Sequence, residues 1–297
     1  MTTTYYGLNI DHPKTLYHYT SMDAMVSILD HVSGVRVMAT DCHFLNDDTE
    51  YKFGCDAAIE WLSELPCMSG EFVDRVRARL KNRDEWGEFP WVTSFCAERD
   101  KTSQWMAYSD HKEGGASIGF KFGELRSAIE DIDEEIKKKT GAVPGVNLGG
   151  ALLAPCIYHD KSSKELPKAM VKMLGYVFSG KESFSYLAQE EPDKYSCYCA
   201  RHIVLICSLL KSAEFSFENE WRISIVPSGD FLKDKMRIVG DKARLTLRDW
   251  IKKDAVSEVL VSPHGNRRLI TANAEIVKSK RGYRYEILKS DSAYNGR

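Results

Sequence analysis

From Phe215 onward the stretch Lys211–Val226, KSAEFSFENEWRISIV, alternates with a period of two residues. Phe215, Phe217, Trp221, Ile223 and Ile225 fall on one side, with Asn219 the only polar member. Glu214, Ser216, Glu218, Glu220, Arg222 and Ser224 fall on the other. Successive side chains of a strand point to opposite faces, so this pattern predicts a central strand packed on a core by one face. From Glu218 on, the second face would carry two carboxylates and a guanidinium, with same-face neighbours about 7 Å apart. Two readings follow: a solvated face with a Glu–Arg pair, which contributes little when exposed, or a cleft lined by Glu218 and Glu220.

With 297 residues, 43% hydrophobic and 28% charged, the chain has the composition of a globular protein and the length for one large domain or two modest ones. A net charge of -2 supplies no global basic field for nucleic acid or anionic membrane, although Lys278–Arg284 (KSKRGYR) is a local basic cluster. Met1–Thr15 lacks the basic start and apolar core of a signal peptide. The longest nearly unbroken apolar run, Ile203–Leu210, is too short to span a bilayer. The eight cysteines include no C-x-x-C pair. Cys197-x-Cys199 near His202 is the one metal-like grouping, with a spacing unlike structural zinc sites. Reduced, mostly buried thiols in a cytoplasm are the expectation, with no metal and no membrane partner.

Taken in order, Leu16–Tyr19 reads as a short strand and Ser21 as the cap of a helix whose apolar face is Met22, Met25, Val26 and Leu29. Val35–Met38 reads as a strand, Phe44–Asp48 as a turn, and the following residues to about Leu65 as a helix burying Tyr51, Cys55, Ala58, Ile59 and Leu62. A helix over Glu71–Lys81 and a strand over Trp91–Phe95 come next. Asp100–Ser103 is expected to cap a short helix holding Gln104, Trp105, Met106 and Tyr108, with Trp105 in the core and Gln104 or Tyr108 at the cleft. An alternating strand (Ala116–Phe122), a charged helix (Glu124–Lys139) and a strand (Leu152–Tyr158) follow. Helix, with an insertion near 161–200, fills the approach to the central strand, its last turns burying Cys199, Ile203, Ile206, Cys207 and Leu210. Strand Ser257–Ser262, helix Arg267–Lys278 and a strand from Tyr283 to about Lys289 close the chain. Strands and helices are interspersed without regular βαβ alternation, which predicts a single mixed α+β domain with a central β-sheet.

Glycine-rich phosphate loops, H-E-x-x-H and G-x-S-x-G are all absent, so kinase, P-loop, zincin and α/β-hydrolase readings have no support. Four local sequences stand out: Tyr17-His18-Tyr19-Thr20-Ser21; Phe44-Leu45-Asn46-Asp47-Asp48 followed by Glu50; Thr93-Ser94-Phe95 with Gln104-Trp105-Met106-Ala107-Tyr108 and Gly119-Phe120; and Glu218-Asn219-Glu220-Trp221-Arg222. In this order, with a Lys before the last, they resemble the bacterial family filed as domain of unknown function 2971. The resemblance covers roughly Leu16–Asn295. It departs where the family more usually has FND followed by Pro, here Asp47-Asp48-Thr49. It implies no activity.

A looser resemblance does imply one. A strand with His-Tyr-Thr, a middle strand with Thr-Ser and a late strand with Glu-x-Glu are similar to the three-part signature of ADP-ribosyltransferases. That likeness implies that His18, Tyr19 and Thr20 sit by NAD, that Ser94 supports the nicotinamide pocket, and that Glu220 is catalytic. Glu218 would orient or deprotonate an acceptor macromolecule, Arg222 would hold an ionised carboxylate or a phosphate, and Gln104 and Tyr108 would reach the ligand. The chemistry is consistent, since breaking the nicotinamide–ribose bond passes through an oxocarbenium-like cation that a nearby carboxylate stabilises. The leading expectation is a cytoplasmic NAD-consuming enzyme acting as a toxin or antiviral effector. Two alternatives stand beside it: a non-catalytic nucleotide- or nucleic-acid-binding module, and a metal-dependent nuclease using Asp47, Asp48, Glu218 and Glu220.

Overall fold

The computed structural model describes residues 2–44, 49–66, 68–82, 89–140, 150–160, 162, 163, 165–178, 190–226, 235–239 and 242–296. A hairpin of β1 (Thr2–Tyr5) and β2 (Leu8–Asp11) comes first, turned through Tyr6 and Gly7, both at positive φ. Next are β3 (Thr15–Ser21) and α1 (Met22–Leu29), where Ser21 caps the helix by accepting from the Ala24 amide at 3.3 Å, as its hydroxyl predicts. β4 (Met38–Asp41), α2 (Thr49–Ser63), α3 (Gly70–Lys81), β5 (Trp91–Cys96) and α4 (Thr102–Tyr108) follow. Then come β6 (Gly115–Lys121), α5 (Phe122–Thr140), β7 (Ala151–Pro155), β8 (Ile157–His159), α6 (Lys168–Phe178) and α7 (Pro192–Cys207). The remainder is β9 (Leu210–Ser212), a 3-10 helix (Ala213–Glu218), β10 (Glu220–Ile225), β11 (Met236–Val239), β12 (Lys242–Thr246), β13 (Val256–Val261), α8 (Arg267–Arg281) and β14 (Glu286–Lys289).

The chain is a mixed α and β structure around a large central sheet. Among the described residues the sheet has ten strands, running β11-β12-β4-β5-β3-β6-β13-β14, with β10 paired to β5 and β7 paired to β10. β13 and β14 are parallel; the other pairings in this sheet are antiparallel. Helices cover both faces, the layered solution that hides the apolar side of each element. On one face α1, α5 and α8 pack over Leu16, Phe95, Ile118, Phe120, Trp221 and Ile223. On the other, α2, α3, α6 and α7 pack over Leu152 and Ala154, and a smaller cluster of Tyr19, Cys96, Trp105 and Leu260 lies beside them. No helix among the described residues is long and apolar enough to cross a membrane.

Several expected elements are redrawn. The central strand starts at Glu220, not Phe215: residues 213–218 coil into a 3-10 helix that leaves Phe215 and Phe217 36% and 52% exposed. Ser212 starts that helix by accepting from the Glu214 amide, and Asn219 ends it in the left-handed region at φ 46°, a conformation Asn tolerates better than most residues. The strand expected at Val35–Met38 runs instead over Met38–Asp41. The strand expected over Leu152–Tyr158 is two, in different sheets, and Leu210 belongs to β9 rather than to α7. β6 is buried on both sides rather than one, because Ser117 lies within the core and Gly119 under the Tyr17 ring. Of the turn expected at Phe44–Asp48, Phe44 instead ends a 3-10 helix over Cys42–Phe44 and the rest lies outside the described residues, as does the Ser179–Ser185 part of the insertion expected near 161–200, where the described residues form α6 and the start of α7.

Candidate functional site

β5 has three neighbours. Along one edge it pairs with β10 throughout, from Glu220↔Cys96 to Ile225↔Trp91. Its other edge is shared: β4 takes Trp91 and Val92, and β3 takes Cys96 through Tyr17. Between those two pairings the ladder is open, and side chains occupy the gap. Thr93 donates from Oγ1 to the Met38 carbonyl at 2.9 Å. His18 Nδ1 lies 3.0 Å from the Ser94 carbonyl oxygen, an orientation that makes Nδ1 the protonated nitrogen. A pocket of about 60 Å³ opens here, lined by Tyr17, His18, Tyr19, Ser94, Phe95, Gln104, Tyr108, Glu218 and Glu220.

The floor of the pocket is a buried charge network. Residues paired across antiparallel strands share a face, so Ser94, Glu220 and Arg222 project to the same side of the sheet. Glu220 Oε1 accepts from Ser94 Oγ at 2.6 Å and from Arg222 Nε at 2.7 Å. Its Oε2 accepts from the Lys211 ammonium, which also donates to Glu218 Oε2 at 2.6 Å. Arg222 is anchored in turn on the Ser208 carbonyl at 2.6 Å. Tyr158 Oη accepts from the Glu220 amide at 2.9 Å. Burial alone would raise the Glu220 pKa, but Arg222 and Lys211 outweigh it and hold the carboxyl at about 2. Burial would lower that of Lys211; the two glutamates instead raise it. Desolvation pulls the His18 pKa below its ordinary value despite the Ser94 carbonyl, so the imidazole is neutral near pH 7. The floor is thus one ionised carboxylate locked between two cations, with Glu218 on the pocket side of the lysine.

Aromatic rings form the walls. Tyr17 lies over Gly119, where a Cβ would stand 3.1 Å from Tyr17 Cε1. Tyr19 meets Trp105 edge-on at 4.7 Å, and its hydroxyl donates to the Glu98 carbonyl while accepting from the Lys101 amide, both at 2.8 Å. Trp105 is fully buried, and its Nε1 donates to Asp100 Oδ1 at 2.7 Å. That bond is why Asp100 does not cap α4: the N-cap is Lys101, with no side-chain bond. Asp100 also accepts from Ser290 Oγ at 2.5 Å and from the Asp291 amide at 2.8 Å, so the C-terminal segment braces the helix. α4 is placed so that buried Gln104 and half-exposed Tyr108 both face the pocket. Partial burial, with the Glu218 and Glu220 charges, pushes the Tyr108 phenol up to about 12.

Of the residues singled out from sequence, His18, Tyr19, Ser94, Gln104, Tyr108, Glu218 and Glu220 line the pocket. Thr20 is buried outside it, on the face of β3 shared with Leu16. Arg222 stands behind Glu220 rather than at the surface of the cavity. Glu218 gets there from the end of the 3-10 helix, not along the strand. Lys211 was seen only as a motif lysine, although a cation near Glu218 and Glu220 is what two carboxylates sharing a buried site require. Tyr17, at the head of the His-Tyr-Thr stretch, also lines the pocket, and Tyr158 holds the Glu220 amide from β8, a role that no pattern in the sequence marks. Asp47 and Asp48 lie outside the described residues. In the basic cluster Lys278–Arg284, Lys280 and Arg281 both pair with Asp30, and Lys278 sits over the Tyr285 ring.

No curated protein and no solved structure matches the chain. Residues 104–223, which supply Gln104, Tyr108, Lys211, Glu218, Glu220 and Arg222 to the site, match the model of the family described as protein of unknown function, DUF2971.

Proposed function

We propose that the pocket takes the nicotinamide–ribose end of NAD and that the chain is an NAD-consuming, ADP-ribosyltransferase-like enzyme. One observation carries this reading. His18, Ser94 and Glu220, from three different strands and in the order of the ADP-ribosyltransferase signature, line the same pocket. The assignment of the sheet to the ADP-ribosyltransferase architecture belongs to the same proposal.

The chemistry follows from the surroundings of each group. A carboxylate offers about four lone-pair sites, and Ser94, Arg222 and Lys211 occupy three on Glu220. The remaining site, on Oε2, accepts a ribose hydroxyl. Held at about 2, Glu220 is ionised over the whole physiological range and stabilises positive charge as the C–N glycosidic bond breaks. The electron pair of that bond leaves on the nicotinamide nitrogen, giving neutral nicotinamide. Water or an acceptor nucleophile then attacks the ribose carbon and gives its proton to Glu218. Neutral His18 hydrogen-bonds the second ribose hydroxyl through Nε2, its Nδ1 being committed to Ser94. Tyr17, Tyr19 and Tyr108 wall off the ring.

Incubation of the folded protein with NAD, with released nicotinamide followed chromatographically and label transfer to candidate acceptors followed in parallel, tests the proposal. Time-dependent nicotinamide release is expected. Folded protein that neither releases nicotinamide nor labels any acceptor removes it.

A further inference from the structure

β12 pairs with β4 and β4 with β5, so that Arg244, Thr40 and Val92 stand in one row across the sheet. Opposed residues share a face, and so does Ser94, two positions along β5 from Val92. Arg244 therefore projects from the same side of the sheet as Ser94, Glu220 and Arg222, two strand spacings, or about 10 Å, from β5.

This guanidinium is poorly accounted for by the fold. Its Nε is buried with no hydrogen-bond partner. Arg222 and Arg281 each rest on a carboxylate, whereas no carboxylate among the described residues pairs with Arg244. Directly opposite it across the β11–β12 ladder stands Arg237, and like charges in that position destabilise a sheet. Its charge is also felt at His18, where it helps to keep the ring neutral. A cation placed beside another arginine in the ladder, buried on one nitrogen and on the same side of the sheet as Ser94 and Glu220, is arranged for an anion that none of the described residues supplies.

We infer that Arg244 is a phosphate-binding residue, holding the pyrophosphate of a dinucleotide whose ribose end enters the His18–Ser94–Glu220 pocket. The inference rests on the reading of the pocket given above. It also supplies what that reading lacks, because the pocket lining contains no lysine or arginine among the described residues. A planar guanidinium suits the task, since its parallel N–H groups engage two phosphate oxygens at once.

The test compares wild type, Arg244→Gln and Arg244→Lys in calorimetric titrations with ADP-ribose, which carries the pyrophosphate, and nicotinamide riboside, which carries none. Arg244→Gln should weaken ADP-ribose binding about ten-fold or more, with a shallower dependence on salt, and leave nicotinamide riboside binding unchanged. Arg244→Lys should restore affinity in part, as a point charge without the fork. Melting of unliganded Arg244→Gln should be unchanged or higher, because a like-charge pair has been relieved. Equal ADP-ribose affinity in wild type and Arg244→Gln, or no ADP-ribose binding by wild type, overturns the inference. The two proposals fail separately. Arg244-dependent ADP-ribose binding without nicotinamide release from NAD keeps the phosphate site and removes the enzyme; nicotinamide release with an unchanged KM for NAD in Arg244→Gln does the reverse.

Discussion

Ser94 Oγ donates to Glu220 Oε1 at 2.6 Å, a diagonal bond across the β5–β10 ladder, where the register itself sets Ser94 against Arg222. The hydroxyl thus reaches past its own partner to fix a carboxylate two pairs along. Ser94→Ala should leave Oε1 with the Arg222 contact alone. Hydrogen bonds to charged groups contribute about 1.5–3 kcal/mol, and urea unfolding of the variant should show a loss in that range. An unchanged midpoint would mean that water replaces the hydroxyl without penalty.

The two glutamates should separate in both stability and activity. Glu220→Gln leaves Lys211 and Arg222 short of a counter-charge in a buried site, a change that typically costs about 3–5 kcal/mol; because Glu218 still faces Lys211, the low end is expected. Nicotinamide release, measured well below the lowered melting temperature, should fall about 10²–10³-fold. Glu218→Gln, with Glu220 still neutralising Lys211, should cost less than Glu220→Gln and impair acceptor labelling more than nicotinamide release. Equal, mild effects of both variants on release would reduce the pair to a structural ion network.

Acid should weaken the fold through a histidine far from the pocket. His202 is buried near Tyr6 and Tyr198, and desolvation, with Arg201 and Lys137, lowers its pKa to about 3 from 6.5. Below pH 6.5 the unfolded chain takes up a proton that the folded protein refuses until about 3, so stability is full above 6.5 and falls as pH drops through that window. One proton gives a slope of about 1.4 kcal/mol per pH unit. Glu220, lowered to about 2 from 4.5, acts in the same direction below 4.5. His202→Phe should remove one proton from the slope between pH 6.5 and 5, read from urea midpoints; parallel curves for variant and wild type would contradict this.

The same substitution at two glycines should have opposite signs. A Cβ on Gly119 would stand 2.7 Å from Glu258 Cγ and 3.1 Å from both Thr15 Cγ2 and Tyr17 Cε1. Gly119→Ala should therefore cost about 1–3 kcal/mol by overpacking and lower ligand affinity by displacing the Tyr17 ring from the pocket wall. Gly123, in the first turn of α5, has nothing within 4 Å of the added carbon. Gly123→Ala should stabilise by about 0.4–1 kcal/mol and leave binding alone. Thermal melts of the two variants decide the matter.

Local chemistry made much of this legible in the sequence. Ser21 caps α1 because its hydroxyl precedes an apolar helical face, and Trp105 is core because it shares a helix face with little else that could be. Alternation misled at Phe215 and Phe217, since a 3-10 helix ended by a left-handed Asn can carry the same residues as a strand. β11 and β12 are only four and five residues long, too short for a strand period to stand out, so nothing in the sequence marks Arg244. Gly119-Phe120 was noticed as a motif, but nothing in a linear pattern tells that a tyrosine from β3 lies over the glycine.

The three-way pairing of β5 also bears on how the chain reaches its native state. Two of its partners, β3 and β4, precede it, but the strand that covers its whole other edge arrives 126 residues after Ser94. Contacts so distant in sequence close slowly, because the loop entropy is lost before the pairing is gained. During synthesis β5 is thus a finished strand with a bare edge, and bare edges recruit other chains. Glu220 is the first residue of the strand that closes that edge, so the carboxylate on which the site depends arrives with the sequence that ends the period of greatest aggregation risk.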